Sequence, residues 1–355
     1  MSDKIRAFEH IMFSRLFVLS LLLGSSLLAA GPAKAPPPAQ VKGNPKPASA
    51  AQPKPVAYDD PAKTDADFPI QGEYVGKMRD ADFALQISAQ GGGQFDAVMC
   101  PGGLPGAGWT KQPNPRQRVP GKLAADAVRF AGNGWTGTLH GGVVALKDFK
   151  GGAIGELKRI ERKSPTLGAP PPAGAVVLFD GKDTSAFKDG AKMTADKLLM
   201  QGCTSKGEFG DCTIHIEFRT PYMPTARSQA RGNSGIYLAS RYEVQMLDSF
   251  GLTGENNECG GIYTVAKPQT NMCLPPLSWQ TYDIEFKTPR FDDKGMKTED
   301  AEITVNHNGV LIHDGVKVSG PTRAAPLSKE GPTGPIYLQD HGTPVRYRNI
   351  WVMKK

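Results

Sequence analysis

Beyond position 174 the chain never sustains an apolar period long enough for a helix; it alternates. Ile214, Ile216 and Phe218 interleave with His215, Glu217 and Arg219. Tyr242, Val244 and Met246 interleave with Glu243, Gln245 and Leu247, and Tyr282, Ile284 and Phe286 with Asp283, Glu285 and Lys287. A period of two puts successive side chains on opposite faces of an extended strand. Asn308-Gly309 separates the runs 301–307 and 310–313, and such a pair is the strongest short hairpin signal because both turn positions need positive φ. The runs 336–339 and 345–353 close the chain. Many short strands joined by turns, with no amphipathic helix, predict a two-sheet, jelly-roll-like sandwich over residues 175–355.

The stretch 68–163 is also β in pattern. Phe83, Leu85 and Ile87 alternate, as do Phe95, Ala97 and Met99, with the turn signal Gly91-Gly92-Gly93 between them. Val128 to Phe130 and Val143 to Leu146 are again short runs bounded by Gly. This predicts a small antiparallel β-domain, and it holds no cluster of acids, His or Cys that suggests chemistry. A Pro-, Gly- and Ala-rich linker, 164–174, joins it to the sandwich. The fold class expected is all-β.

Residues 31–67 are Pro, Ala and Lys with almost no large apolar side chains. Such a stretch cannot offset its ordering entropy by burial and reads as a disordered tether. Before it, Lys4, Arg6 and Arg15 precede the uncharged run 16–30, whose fifteen residues fall short of the ~20 that span a bilayer. Ala29, Ala30 and Gly31 then suit a signal-peptidase site. The expectation is a cleaved signal peptide at 1–30, a periplasmic or secreted protein, and membrane contact only through that signal. No Cys lies near enough for a lipid anchor. The net charge of +7 is spread among nearly as many acids rather than gathered on one face, which excludes nucleic acid as the main partner. Cys100, Cys203, Cys212, Cys259 and Cys273 show neither CxxC nor finger spacing. Disulfides or buried thiols fit them better than a cysteine-ligated metal.

Candidate chemistry gathers on one strand. Glu243 and Gln245 share a face, and a bulge after Met246 would bring Asp248 to it. The pattern Glu-x-Gln-x-x-Asp is similar to the Glu-x-Asp-x-x-Glu strand of jelly-roll glucanases. Retaining hydrolysis needs two carboxyls about 5 Å apart, so the central Gln and the shorter Asp argue against plain glucanase chemistry. Gln339 and His341 share a face at another strand end, and His is the usual acid or base near neutrality. Glu258 sits in a Gly-bearing loop that could close over a ligand. Trp279 and Tyr282 offer aromatic area on which sugars stack, with a core role equally open.

Five strings carry a family resemblance: Leu178-Phe-Asp-Gly-Lys182, Gly232-Asn-Ser-Gly-Ile-Tyr237, Arg241-Tyr-Glu-Val-Gln-Met-Leu-Asp248, Trp279-Gln-Thr-Tyr-Asp283, and Gln339-Asp-His-Gly342 with Asn349-Ile-Trp351. Residues 175–355 resemble the 3-keto-disaccharide hydrolase family, a concanavalin-like jelly roll; residues 68–163 lie outside that pattern. The resemblance implies a carbohydrate substrate carrying a ketone at C3, which makes the C2 hydrogen acidic. A base removes that proton, the C1 substituent leaves by β-elimination, and water addition would give net hydrolysis. It implies Glu243 and His341 as the proton-transfer pair with Asp248 in support, and substrate contacts from Gln245, Gln339, Arg241, Trp279 and Glu258. It implies no definite cofactor; a divalent metal ion held by Glu243, Asp248 and His341 could polarise the ketone. The alternative is a non-catalytic, lectin-like carbohydrate-binding protein of the envelope.

Overall fold

A computed structural model describes residues 55–109 and 117–355. The expected signal peptide, and the expected tether up to residue 54, lie outside the described residues. In the first β-region, eight antiparallel strands close into a barrel: Gly72–Met78, Ala153–Ile160, Val143–Asp148, Trp135–His140, Ala127–Gly132, Gln117–Ala124, Gln94–Pro101, Ala81–Gly91 and back to the first. Alternation selects the inward set, including Tyr74, Leu85, Ile87, Phe95, Val128, Phe130, Trp135, Leu146 and Leu157. Such a small barrel is filled by side chains, and large rings need small neighbours. Gly121 supplies one such gap, since a Cβ there would collide with the Phe130 ring.

The second region is a two-sheet sandwich. Its larger sheet runs Val176–Phe179, Arg346–Lys354, Cys212–Arg219, Gln280–Lys287, Ala301–His307, Val310–Val318, with Leu199–Met200 pairing Arg346–Lys354. The smaller runs Cys203–Phe209, Gly334–Leu338, Ser234–Leu238, Tyr242–Met246. Asn308 and Gly309 form the hairpin turn with φ of 50° and 76°. Between the sheets, Ile214, Ile216 and Phe218 pack with Ile236, Leu238, Tyr242, Val244 and Met246. Cys203, Cys212, Cys259 and Cys273 are buried free thiols, and Cys100 is buried as well.

Barrel and sandwich belong to one compact unit. Arg227 Nη2 donates to Gln90 O (3.1 Å) and Arg118 Nη2 to Gly251 O (3.5 Å) across their junction. Residues 55–67, read as tether from composition, are docked in the structure. Tyr58 bridges Tyr222, Asp59 pairs with Arg346 (2.6 Å), and Asp65 Oδ1 accepts from the Tyr222 hydroxyl (2.8 Å). A few polar anchors at fitted positions hold this segment, which a count of apolar residues does not register.

The 164–174 connection lies against the outward face of the larger sheet. There His215 and Glu217 are buried although their side chains point away from the apolar core. Gly168 N donates to Glu217 Oε1 (2.5 Å), Thr166 Oγ1 to Asp283 Oδ2 (2.7 Å), and Asn349 Nδ2 to Ala169 O (3.0 Å). His215 Nδ1 lies 2.6 Å from Asp283 Oδ1, and its ring stacks on Trp351. Burial alone would lower the His215 pKa, but hydrogen bonds to Asp283 and Glu217 outweigh it and hold the value at about 9. Since this exceeds the ordinary 6.5, the protonated ring stabilises the fold fully below pH 6.5. That contribution is lost as pH rises through about 9. An NMR titration of the His215 imidazole should therefore give a midpoint near 9, and Asp283→Asn should lower it by at least about one unit. An unchanged midpoint in the variant would remove Asp283 as the cause.

Candidate functional site

The outward face of the smaller sheet carries the polar residues on which a reaction could be built. Pairing of Ser234–Leu238 with Tyr242–Met246 sets Tyr237 opposite Glu243 and Gly235 opposite Gln245. Alternation puts all four on the face away from Ile236, Leu238 and Val244. The Tyr237 hydroxyl donates to Glu243 Oε2 (2.7 Å) and accepts from Gln339 Nε2 (3.2 Å). The Gln245 amide approaches Glu243 Oε1 at 2.7 Å. That contact is satisfied when the amide NH2 meets a carboxylate, or when a protonated carboxyl meets the amide oxygen. Gln229 and Asn233 continue the seam beyond Gln245 at 3.1 and 3.3 Å.

Glu243 is 1% exposed. Burial pushes its pKa up to about 8, against the lowering effect of the Tyr237 hydrogen bond. Tyr237 is raised in turn, by burial first and then by Glu243. A carboxyl balanced near neutrality can give or take a proton, which is the property acid–base work requires. Gly235 makes the seat for it, because a Cβ there would collide with Glu243 Oε1. We expect Gly235→Ala to displace the carboxyl and destabilise the fold by about 1–3 kcal/mol, an overpacking cost. Urea melts would show it, and an unperturbed melt with full activity would contradict this packing.

The other expected site residues are placed differently from one another. Gln339 joins the seam and is half-buried. His341 is exposed in the turn that follows, and no hydrogen bond to Glu243 is formed among the described residues. Asp248 lies past the strand end, where its Oδ2 accepts from Arg231 Nε (2.6 Å) in a buried ion pair. Arg231 also approaches Ala89 O of the barrel at 3.4 Å. Arg241 directs its guanidinium to the carbonyls of Lys329 (2.6 Å), Thr333 (2.8 Å) and Ala239 (3.0 Å). Glu258 Oε2 closes its own loop on Gly254 N (2.7 Å) and Glu255 N (3.1 Å). Trp279 projects from the outward face of the opposite sheet, with Arg348 4.0 Å and Arg219 5.2 Å from its ring.

Sequence reasoning missed Tyr237, Gly235, Gln229 and Asn233 as parts of the seam. The same alternation that paired Glu243 with Gln245 would have placed Gly235 and Tyr237 together on one face. Glu243, Asp248 and His341 do not converge as a metal-binding set. Asp248 is held by Arg231, and among the described residues no group of three or more His, Cys, Asp or Glu is arranged for an ion. The Asp248–Arg231 pair also leaves Glu243 without the second carboxyl that a retaining glucanase needs.

Three solved structures from Parabacteroides distasonis, each provisionally named a glycosyl hydrolase, align with this chain. The first shares 36% identity, covers 52% of this chain and 84% of its own, and gives a TM-score of 0.48. The others share 17% and 19% identity, cover 51% of this chain and 94% and 99% of their own, with TM-scores of 0.38 and 0.36. No curated protein matches the chain. The family model for the 3-keto-α-glucoside-1,2-lyase-like domain matches residues 174–353, half of the 355-residue chain and all of the sandwich strands but Lys354, and the chain belongs to this family.

Proposed function

We propose that the protein is an exported carbohydrate-active enzyme that cleaves the glycosidic bond of 3-keto-glucosides or 3-keto-disaccharides. The observation that carries this reading is the buried Glu243 carboxyl, poised at about 8 and held between Tyr237 and Gln245. In its ionised form Glu243 takes the proton from C2, and the electron pair passes into the C3 carbonyl as an enolate. Collapse of the enolate forms the C1=C2 double bond and expels the C1 oxygen, which leaves with a proton from His341. Water addition across that double bond yields net hydrolysis. Gln245 and Gln339 supply hydrogen bonds for the sugar oxygens, with Gln339 linked to Glu243 through the Tyr237 hydroxyl. Because Glu243 is 1% exposed, a sugar reaches its carboxyl only when the side chains that cover it move aside.

The test is incubation of the mature protein with a 3-keto-glucoside and with its unoxidised parent, following products by mass spectrometry. Cleavage of the keto sugar alone supports the reading, and cleavage of neither overturns it. A lectin-like role has one observation in its favour, the amide-rich seam of Gln229, Asn233, Gln245 and Gln339. Saturable binding of both sugars without turnover would establish that role instead.

A further inference from the structure

Cys259 and Cys273 meet in the sandwich core, each arriving from a different sheet. Cys259 opens the segment 259–266, which runs along the outer edge of the strand Tyr242–Met246, the last strand of the smaller sheet. Gly260 N donates to Gln245 O (2.9 Å), Gln245 N to Gly261 O (2.9 Å), and Tyr263 N to Glu243 O (3.1 Å). The strand that carries Glu243 therefore takes its edge partner from this segment. Cys273 precedes the strand Gln280–Lys287 of the larger sheet, and its neighbours are tied to that sheet. Leu274 N donates to Gln280 Oε1 (2.8 Å), and Asn308 Nδ2 to Met272 O (2.9 Å). The two thiols are in hydrogen-bond contact with each other, at 0% and 1% exposure.

The neighbours of these thiols keep their main hydrogen bonds without the thiol protons. The Tyr282 hydroxyl, 3.3 Å from Cys259 Sγ, gives its own proton to Gln245 O (2.6 Å). Leu247 O, 3.5 Å from Cys273 Sγ, already accepts from Ser249 N (2.8 Å). The remaining contact, Cys273 Sγ to Leu274 O (3.4 Å), is a weak thiol bond. Burial by itself raises a thiol's pKa, but at Cys259 the hydrogen bond from Cys273 helps to reverse this, and Cys273 is raised in turn. We infer that Cys259 and Cys273 are a disulfide-forming pair, whose bond staples the edge of the Glu243 sheet to the opposite sheet. The oxidant is a disulfide, carried by a small thiol compound or a dithiol protein. Cys259 thiolate attacks one of its sulfurs and expels the other as a thiol. Cys273 then attacks Cys259 in the mixed disulfide and releases the second thiol, so two thiols are oxidised and one disulfide is reduced. Because both sulfurs are buried in the finished fold, the exchange belongs to folding, before segment 259–266 docks. The oxidising surroundings rest on the export proposed above; the pairing does not.

The test unfolds the purified protein with reductant, refolds it with oxidised glutathione, and alkylates free thiols in denaturant without reductant. Mass spectrometry of the peptides is expected to find Cys100, Cys203 and Cys212 alkylated, and Cys259 joined to Cys273 with the loss of two hydrogens. The bond closes the loop 259–273, so the melting temperature should stand about 5–10 °C above that of protein refolded in reductant. That difference should vanish in the double variant Cys259→Ala with Cys273→Ala, whatever the variant's own stability. Native-state hydrogen exchange at Gln245 N and Tyr263 N should slow by roughly tenfold in the oxidised form. Alkylation of Cys259 and Cys273 after refolding, or a link from either to another cysteine, overturns the pairing. Unchanged exchange at the two amides overturns the stapling. Free thiols at both positions in protein taken directly from its cells, with the link formed on refolding, would overturn the export reading and leave the pairing in place.

Discussion

Replacing Glu243 by glutamine is expected to lower turnover of a 3-keto-glucoside by at least about a hundredfold while raising the melting temperature at pH 8. The two effects share one cause. The unfolded carboxyl ionises near its ordinary 4.5, whereas the folded one keeps its proton until about 8. Between those values the native state binds more protons than the unfolded state, so stability falls as pH rises, by up to about 1.4 kcal/mol per pH unit. Glutamine has no such titration, and it preserves the shape against Gly235 and a contact for Tyr237. Melting temperatures of the two proteins should therefore be close at pH 4, diverge above pH 4.5 in favour of the variant, and stop diverging above pH 8. A gap that does not change with pH would mean that Glu243 is not held protonated in the fold. Unaltered turnover would remove it from the mechanism.

Asp248→Ala is expected to cost about 3–5 kcal/mol, because it leaves the Arg231 guanidinium buried without its counter-ion. Asp248 is fully buried and Arg231 nearly so. The pair also meets the barrel carbonyl of Ala89, so its loss should loosen the junction as well as the strand end. The double variant Arg231→Met with Asp248→Leu removes both charges and should recover most of that loss, measured by urea denaturation. Turnover in the recovered protein then separates the roles. If it retains activity, Asp248 is a structural support. If Asp248→Ala stays as stable as the parent yet loses turnover, the ion pair is not its function and Asp248 belongs with Glu243.

Much of the sandwich was legible because its signals are local. The alternation Ile214, Ile216, Phe218 against His215, Glu217, Arg219 specifies two faces whatever the strand pairs with, and Asn308-Gly309 specifies a turn by its tolerance of positive φ. Placement of Glu243 and Gln245 on one face follows from the same rule. The partners of that face are less local. Tyr237 reaches Glu243 through strand register, Gln339 through a strand about a hundred residues later, and Arg231 reaches Asp248 across a loop.

Alternation by itself determined which side chains share a face, and so the all-β class, the hairpin at 308–309 and the pairing of Glu243 with Gln245. Only the tertiary structure decided what covers each face. It closed the barrel, laid 164–174 over His215 and Glu217, and sent Asp248 to Arg231. It also buried Glu243 deeply enough to hold its proton near neutrality. The reason is physical: a period of two is set by the geometry of one extended strand, whereas burial and acidity depend on which distant segments displace water from around a group.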